Sequence, residues 1–129
     1  MIVLDTHAAV WWTTQPKRLS TRAAAAIASA DRLAVPTVVF WEVAMLVRKG
    51  RLRLGSDATS ARAWADQLCA IPRVEPIALT VGVALLADSL KMHADPADRF
   101  IVASAVDRGC PLVTRDELIR PLGLVETIW

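Results

Sequence analysis

Short apolar runs alternate with helical patterns from one end of the chain to the other. The runs are Ile2-Val3-Leu4, Leu33-Ala34-Val35, part of Val74 to Leu79, Pro111-Leu112-Val113-Thr114 and part of Leu124 to Ile128. Brief runs rich in branched residues read as strands buried on both faces, and helices between them supply the crossovers that parallel pairing requires. The alternation predicts an α/β fold, a three-layer α/β/α sandwich with a mainly parallel central sheet. A length of 129 residues, 54% of them hydrophobic, predicts one domain over 1–129 with a sizeable core.

The helices carry their own start and stop signals. Ser20 caps an Ala-rich helix from Thr21 to about Ala30, and Ser56-Asp57 a helix from about Ala58 to Ala70. Thr80 caps Val81 to Leu90, and Asp95-Pro96 starts a helix that stops at Gly109. Between Pro36 and Gly50, Val38 to about Lys49 is a strong helical run. Ala8 to Trp12 reads as a compact helical turn, its paired tryptophans covering one edge of the core. The basic run Arg48 to Arg53 reads as cations at a helix C-terminus, with a phosphate contact as the alternative.

Composition removes several classes of function. Mean hydropathy is +0.39, too apolar for a disordered chain. No run reaches the roughly 18 uncharged residues of a spanning helix. With no basic leader or cleavage signal before the first strand, a cytoplasmic protein without a membrane partner is expected. Cys69 and Cys110 lack metal-ligand spacing and read as buried free thiols. A net charge of +2 does not by itself indicate a nucleic-acid partner.

Acids stand where packing needs none. Asp5 follows the first strand at the edge where open α/β sheets hold ligands, although a strand-end acid also serves as a helix cap. Glu42 shares a helical face with Val38, Val39, Met45 and Leu46, so it needs a partner, an arginine or a metal. Asp98 sits in the first turn of a largely apolar helix whose N-terminus the winding returns to the same edge, whereas Asp95 is explained as its cap. Asp116 repeats at the later strand what Asp5 does at the first.

If these four carboxylates lie about 6 Å apart, each pair repels by roughly 3 kcal/mol at an effective dielectric near 20. The sum exceeds what a small domain's stability absorbs, so a divalent cation or protonation must relieve it. Crowding is then expected to raise at least one of their pKa values. Oxygen donors without a Cys or His set point to Mg²⁺ or Mn²⁺, ions suited to phosphodiester chemistry. Thr6 and Thr114 are positioned to hold waters or carboxylates beside them. His7 and His93 read as loop hydrogen-bonding groups, and Arg99 as a partner of Asp95 or a phosphate contact.

Four ordered motifs resemble the PIN-domain family, and most closely its VapC-like ribonuclease toxins. They are Val3-Leu4-Asp5-Thr6-His7, Trp41-Glu42 after Val35-Pro36, the run His93 to Ile101 containing Asp95-Pro96 and Asp98-Arg99, and Leu112 to Asp116. The resemblance spans nearly the whole chain. It implies a Mg²⁺- or Mn²⁺-dependent endoribonuclease acting as the toxin of a bacterial toxin-antitoxin system, with Asp5, Glu42, Asp98 and Asp116 as catalytic, metal-binding acids. It also implies an RNA substrate, a homodimer, and a VapB-like antitoxin that covers the active site. The chain departs from many relatives in lacking a serine or threonine one turn before Glu42, Thr37 being the nearest hydroxyl in that helix.

Two other readings remain open at this level. One is a phosphatase or phosphotransferase with a nucleophilic Asp5, against which His7 stands where a second acid would be wanted. The other is a catalytically silent RNA- or protein-binding module whose acidic pocket holds a partner's arginine.

Overall fold

The computed structural model describes residues 1–55 and 60–129. Its strands are β1 (Ile2–Leu4), β2 (Leu33–Pro36), β3 (Val74–Ile77), β4 (Leu112–Val113) and β5 (Thr127–Ile128). They form one sheet in the order β3-β2-β1-β4-β5, parallel at every pairing. Val3 pairs with Ala34 on one side and Leu112 on the other. Val3, Leu4, Leu33, Ala34, Val35, Leu112 and Val113 are wholly buried, as a parallel sheet covered on both faces requires.

Strand order reverses at β1. The chain moves outward through β2 and β3, then returns to add β4 and β5 on the other side. This leaves a crevice between the C-terminal ends of β1 and β4, the usual ligand position in such sheets.

The covering helices are α1 (Thr6–Thr14), α2 (Thr21–Ser29), α3 (Thr37–Arg48), α4 (Ala61–Cys69), α5 (Val81–Ser89) and α6 (Pro96–Arg108). Ser20 and Thr80 cap α2 and α5 as expected, each hydroxyl accepting from a backbone N–H three residues on. Helix α6 ends at Gly109, whose φ of +59° lets the Cys110 N–H turn back to the Ala105 carbonyl. Along α6, Ile101 to Ala105 are all buried, so this helix runs through the interior.

Several boundaries differ from the sequence reading. Helix α1 starts at Thr6, because the Asp5 carboxylate caps it at once. The cap expected at Ser56-Asp57, and the helix start at Ala58, fall outside the described residues, while Ser60 caps α4 through the Ala63 N–H. The last two strands shrink to two residues each. Neither cysteine is buried: Cys69 is exposed and Cys110 half-buried. Cys69 follows Leu68 on α4, and the 100° turn to the next position carries it off the buried stripe of Trp64 and Leu68.

Candidate active site

Asp5, Glu42, Asp98 and Asp116 all line one cleft of about 500 Å³, together with His7, Trp11, Asp95, Arg115 and Glu117. Each acid arrives by the route its local sequence dictates. Asp5 terminates β1, Glu42 lies in the second turn of α3, Asp98 lies in the first turn of α6, and Asp116 follows β4.

Asp5 is only 6% exposed and has a donor on each oxygen. The Thr6 N–H donates to Oδ1 at 2.6 Å, and the Thr114 hydroxyl donates to Oδ2 at 2.6 Å. The same Thr114 oxygen accepts from the Asp116 N–H at 3.0 Å, so one hydroxyl at the end of β4 ties two acids together. The helix-cap and site readings of Asp5 are therefore compatible: Oδ1 caps α1 while the carboxyl group faces the cleft.

Burial pushes the Asp5 carboxyl up to about 6 from an ordinary 3.8. Donation from Thr114 and Thr6 pulls it down, while Asp98 pushes it up and His7 pulls it down. Glu42 and Asp98 are also raised, with burial again the leading cause. Repulsion among the acids acts in the expected direction but is secondary. Desolvation, more than crowding, makes ionisation costly here.

Glu42 is half-buried, at the margin of α3's buried stripe. That stripe is Val39 and Val43; Val38, Met45 and Leu46 are only partly covered, so Glu42 does not share a buried face with them. No arginine meets its carboxylate among the described residues. The Thr6 hydroxyl donates to Oε2 at 2.6 Å, so the hydrogen bond to Glu42 comes from α1. Thus Asp5-Thr6 both presents one acid and orients another.

His93 Nε2 lies 2.6 Å from Asp98 Oδ2, consistent with its reading as a loop hydrogen-bonding group. His7 is exposed and packs against the Trp11 ring, centroids 5.3 Å apart. Asp95 Oδ1 accepts from the N–H groups of Ala97 and Asp98, the capping role expected for it. Asp116 Oδ1 accepts from the N–H groups of Leu118 at 2.6 Å and Ile119 at 3.2 Å.

Arg99 does not pair with Asp95. Its guanidinium donates to four backbone carbonyls, those of Asp88, Leu90, Met92 and His93, at 2.8 to 3.0 Å. It knits together the segment that carries His93 to Asp98. Two residues lining the cleft, Trp11 and Arg115, had no site role in the sequence; the only signal was that Arg115 falls between Thr114 and Asp116.

Among the described residues, no three His, Cys, Asp or Glu side chains converge closely enough to hold an ion directly between them. The donors facing the cleft are nonetheless mostly carboxylate oxygens, hard ligands with no thiolate among them. Mg²⁺ retains several waters and binds proteins through one or two carboxylates, so this carboxylate set suits a hydrated hard cation better than a closed zinc cage.

The family model for the PIN domain matches residues 2–122. Ribonuclease VapC22 of Mycobacterium tuberculosis is 38% identical over 119 residues, covering 92% of this chain and 89% of that protein. Among solved structures, VapBC2 from Rickettsia felis, bound to a DNA fragment from its promoter, aligns with a TM-score of 0.68 at 16% identity. That alignment covers 98% of this chain and 97% of the other. FitAcB from Neisseria gonorrhoeae aligns with a TM-score of 0.68 at 19% identity, covering 98% and 96%. At these identities the structural likeness speaks for the fold.

Proposed function

This chain belongs to the PIN-domain family, and from that premise we propose that it is a metal-dependent endoribonuclease, the toxin of a toxin-antitoxin pair, acting in the cytoplasm. The single observation that carries the reading is that four acids from four separate elements line one cleft at the switch point of the sheet. A relative named as a ribonuclease, similar over 92% of the chain, supports the same chemistry.

In this reading Asp5, Glu42, Asp98 and Asp116 together would hold hydrated Mg²⁺ or Mn²⁺, some of them through its waters. Bound there, such an ion would supply a water of lowered pKa and charge neutralisation at the phosphodiester. The chain's own residues orient the carboxylates: Thr6 fixes Glu42, Thr114 fixes Asp5, and His93 fixes Asp98. In hydrolysis the water oxygen bonds to phosphorus and the water gives up a proton to solvent, the P–O bond to the leaving nucleotide breaks, and the departing oxygen takes up a proton from solvent. Cleavage of single-stranded RNA in Mg²⁺, lost on adding a chelator, tests the reading; a chelator-insensitive activity contradicts it.

The Thr114 hydroxyl provides a test of orientation separate from ligand removal. Thr114→Val keeps the shape but leaves Asp5 Oδ2 without its donor, so the carboxylate ionises less readily. The Mg²⁺ concentration for half-maximal cleavage should rise by roughly 10- to 100-fold, the usual effect of losing a group that orients a metal ligand. An unchanged Mg²⁺ dependence with the fold intact would remove Thr114 from the site.

Protein partners are part of the same proposal. Structural neighbours described as a toxin-antitoxin complex or as belonging to a toxin-antitoxin system support a VapB-like antitoxin, and an apolar face supports a homodimer. Trp41, Leu79, Val81 and Leu85 are 54%, 42%, 78% and 69% exposed, on α3, α5 and the approach to α5. Grouped exposed apolar residues usually mark an interaction surface. Leu85→Asp should convert a dimer to a monomer in sedimentation; a wild-type protein that is monomeric at all concentrations would contradict the dimer.

Among the described residues, no helix is long and apolar enough to cross a membrane. A phosphatase using Asp5 as nucleophile is disfavoured by the site's hydrogen bonds. Both Asp5 oxygens already accept from fixed donors, and no acid stands two residues on.

A further inference from the structure

An acidic cleft repels the substrate it is proposed to cut, and the chain's net charge of +2 is too small to offset this from a distance. Local cations must do so. The basic run Arg48 to Arg53 is poorly placed, because α3 leaves the C-terminal edge of the sheet and Arg48 lies about 9 Å farther along its axis than Glu42.

Two other arginines converge on the cleft wall. Trp11, only 5% exposed, is held by α1 and by the Trp129 ring, centroids 5.8 Å apart. The Arg18 guanidinium carbon lies 4.2 Å from the Trp11 ring centroid, and that of Arg115 lies 5.8 Å from it. Both distances fall within cation–π range. Both arginines are exposed, and neither guanidinium forms an ion pair or hydrogen bond among the described residues. Their donors are left for an outside partner while Trp11 contacts both guanidinium groups. Arg115 itself lines the cleft, in sequence between Thr114, which orients Asp5, and Asp116.

We infer that Arg115 and Arg18, held against Trp11, form a phosphate-binding subsite that receives the RNA backbone beside the four acids. Arg115 contacts a phosphate at or next to the scissile bond, and Arg18, outside the cleft, contacts a phosphate farther along the strand. A planar guanidinium restrained on an aromatic ring loses little freedom on pairing with phosphate oxygens. The subsite rests on the ribonuclease reading and adds substrate positioning to it.

The test is kcat/KM for a single-stranded RNA oligonucleotide, measured against NaCl concentration at saturating Mg²⁺, for wild type, Arg115→Gln, Arg18→Gln and Arg115→Lys. Each Gln variant should lose about tenfold in kcat/KM through KM, and its logarithmic salt slope should be shallower by about 0.7, the value for one single-strand phosphate contact. Half-saturation by Mg²⁺ should not move, and Arg115→Lys should keep the wild-type slope. A variant that merely loosens packing around Trp11 lowers the melting temperature without changing the slope. Active wild type with unchanged slopes in both Gln variants overturns the subsite and leaves the ribonuclease reading standing. A wild type that cleaves no RNA overturns both.

Discussion

Asp98→Asn should lower RNA cleavage by at least two to three orders of magnitude while leaving the protein folded. Removing one charged group from a preorganised electrostatic site typically has an effect on the order of 10²–10³. The folded state tolerates the change. Asp98 caps nothing in α6, a task that Asp95 performs, and its side chain meets the His93 ring. An asparagine can turn its NH₂ toward Nε2 once the imidazole carries its proton on Nδ1. Circular dichroism and melting should match wild type while cleavage disappears. Equal cleavage by wild type, Asp98→Asn and Asp5→Asn would indicate a contaminating nuclease.

The second large effect is on stability. Asp5 binds its proton more tightly folded than unfolded, about 6 against 3.8. Below pH 3.8 the group is protonated in both states and carries no penalty. As pH rises through the interval the native state must give up a proton it favours, so stability falls and levels off above about 6. The loss is about 3 kcal/mol, of order 10 °C in melting temperature for a domain of this size. Raised values for Glu42 and Asp98 push in the same direction.

A cation bound only by the native state offsets that loss, by about 2.7 kcal/mol at a hundred times its dissociation constant. At pH 7.5, Mg²⁺ should therefore raise the melting temperature, and much less so at pH 4.5. Asp5→Asn should be more stable than wild type in chelator at pH 7.5. It keeps an acceptor for the Thr6 N–H, and its amide can donate to the Thr114 oxygen. A melting temperature indifferent to Mg²⁺ at neutral pH, or an Asp5→Asn protein less stable there, would count against a desolvated carboxylate at this position.

Much of this arrangement was legible from residue order. Ile2 to Leu4 and Leu112-Val113 are too short and apolar to be anything but buried strands, and the acids after them had to emerge at one edge once pairing was parallel. Asp95-Pro96 identified the start of α6 and therefore the position of Asp98. Glu42 was harder, because a helical face read from periodicity is broad, and a shift of one position separates the buried Val39–Val43 stripe from the half-open margin.

Contacts made through non-repetitive backbone left no periodic trace. Arg99 lies near Asp95 in sequence but reaches back to carbonyls of a loop, and the hydroxyl of Thr6 on α1 bonds Glu42 on α3 across 36 residues of sequence. The cluster on Trp11 joins residues from α1, a short 3-10 turn and the segment after β4, brought together only by the winding of the sheet.

In the proposed function, the four carboxylates at the end of β1, on α3, on α6 and after β4 act together in binding divalent metal. Mn²⁺ binding followed by electron paramagnetic resonance at pH 7.5 tests it most directly. Saturable binding to the wild-type protein, strongly weakened in both Asp98→Asn and Asp5→Asn, is the predicted result. Wild-type protein that leaves the free-Mn²⁺ signal undiminished, or variants that bind as tightly as wild type, would contradict it.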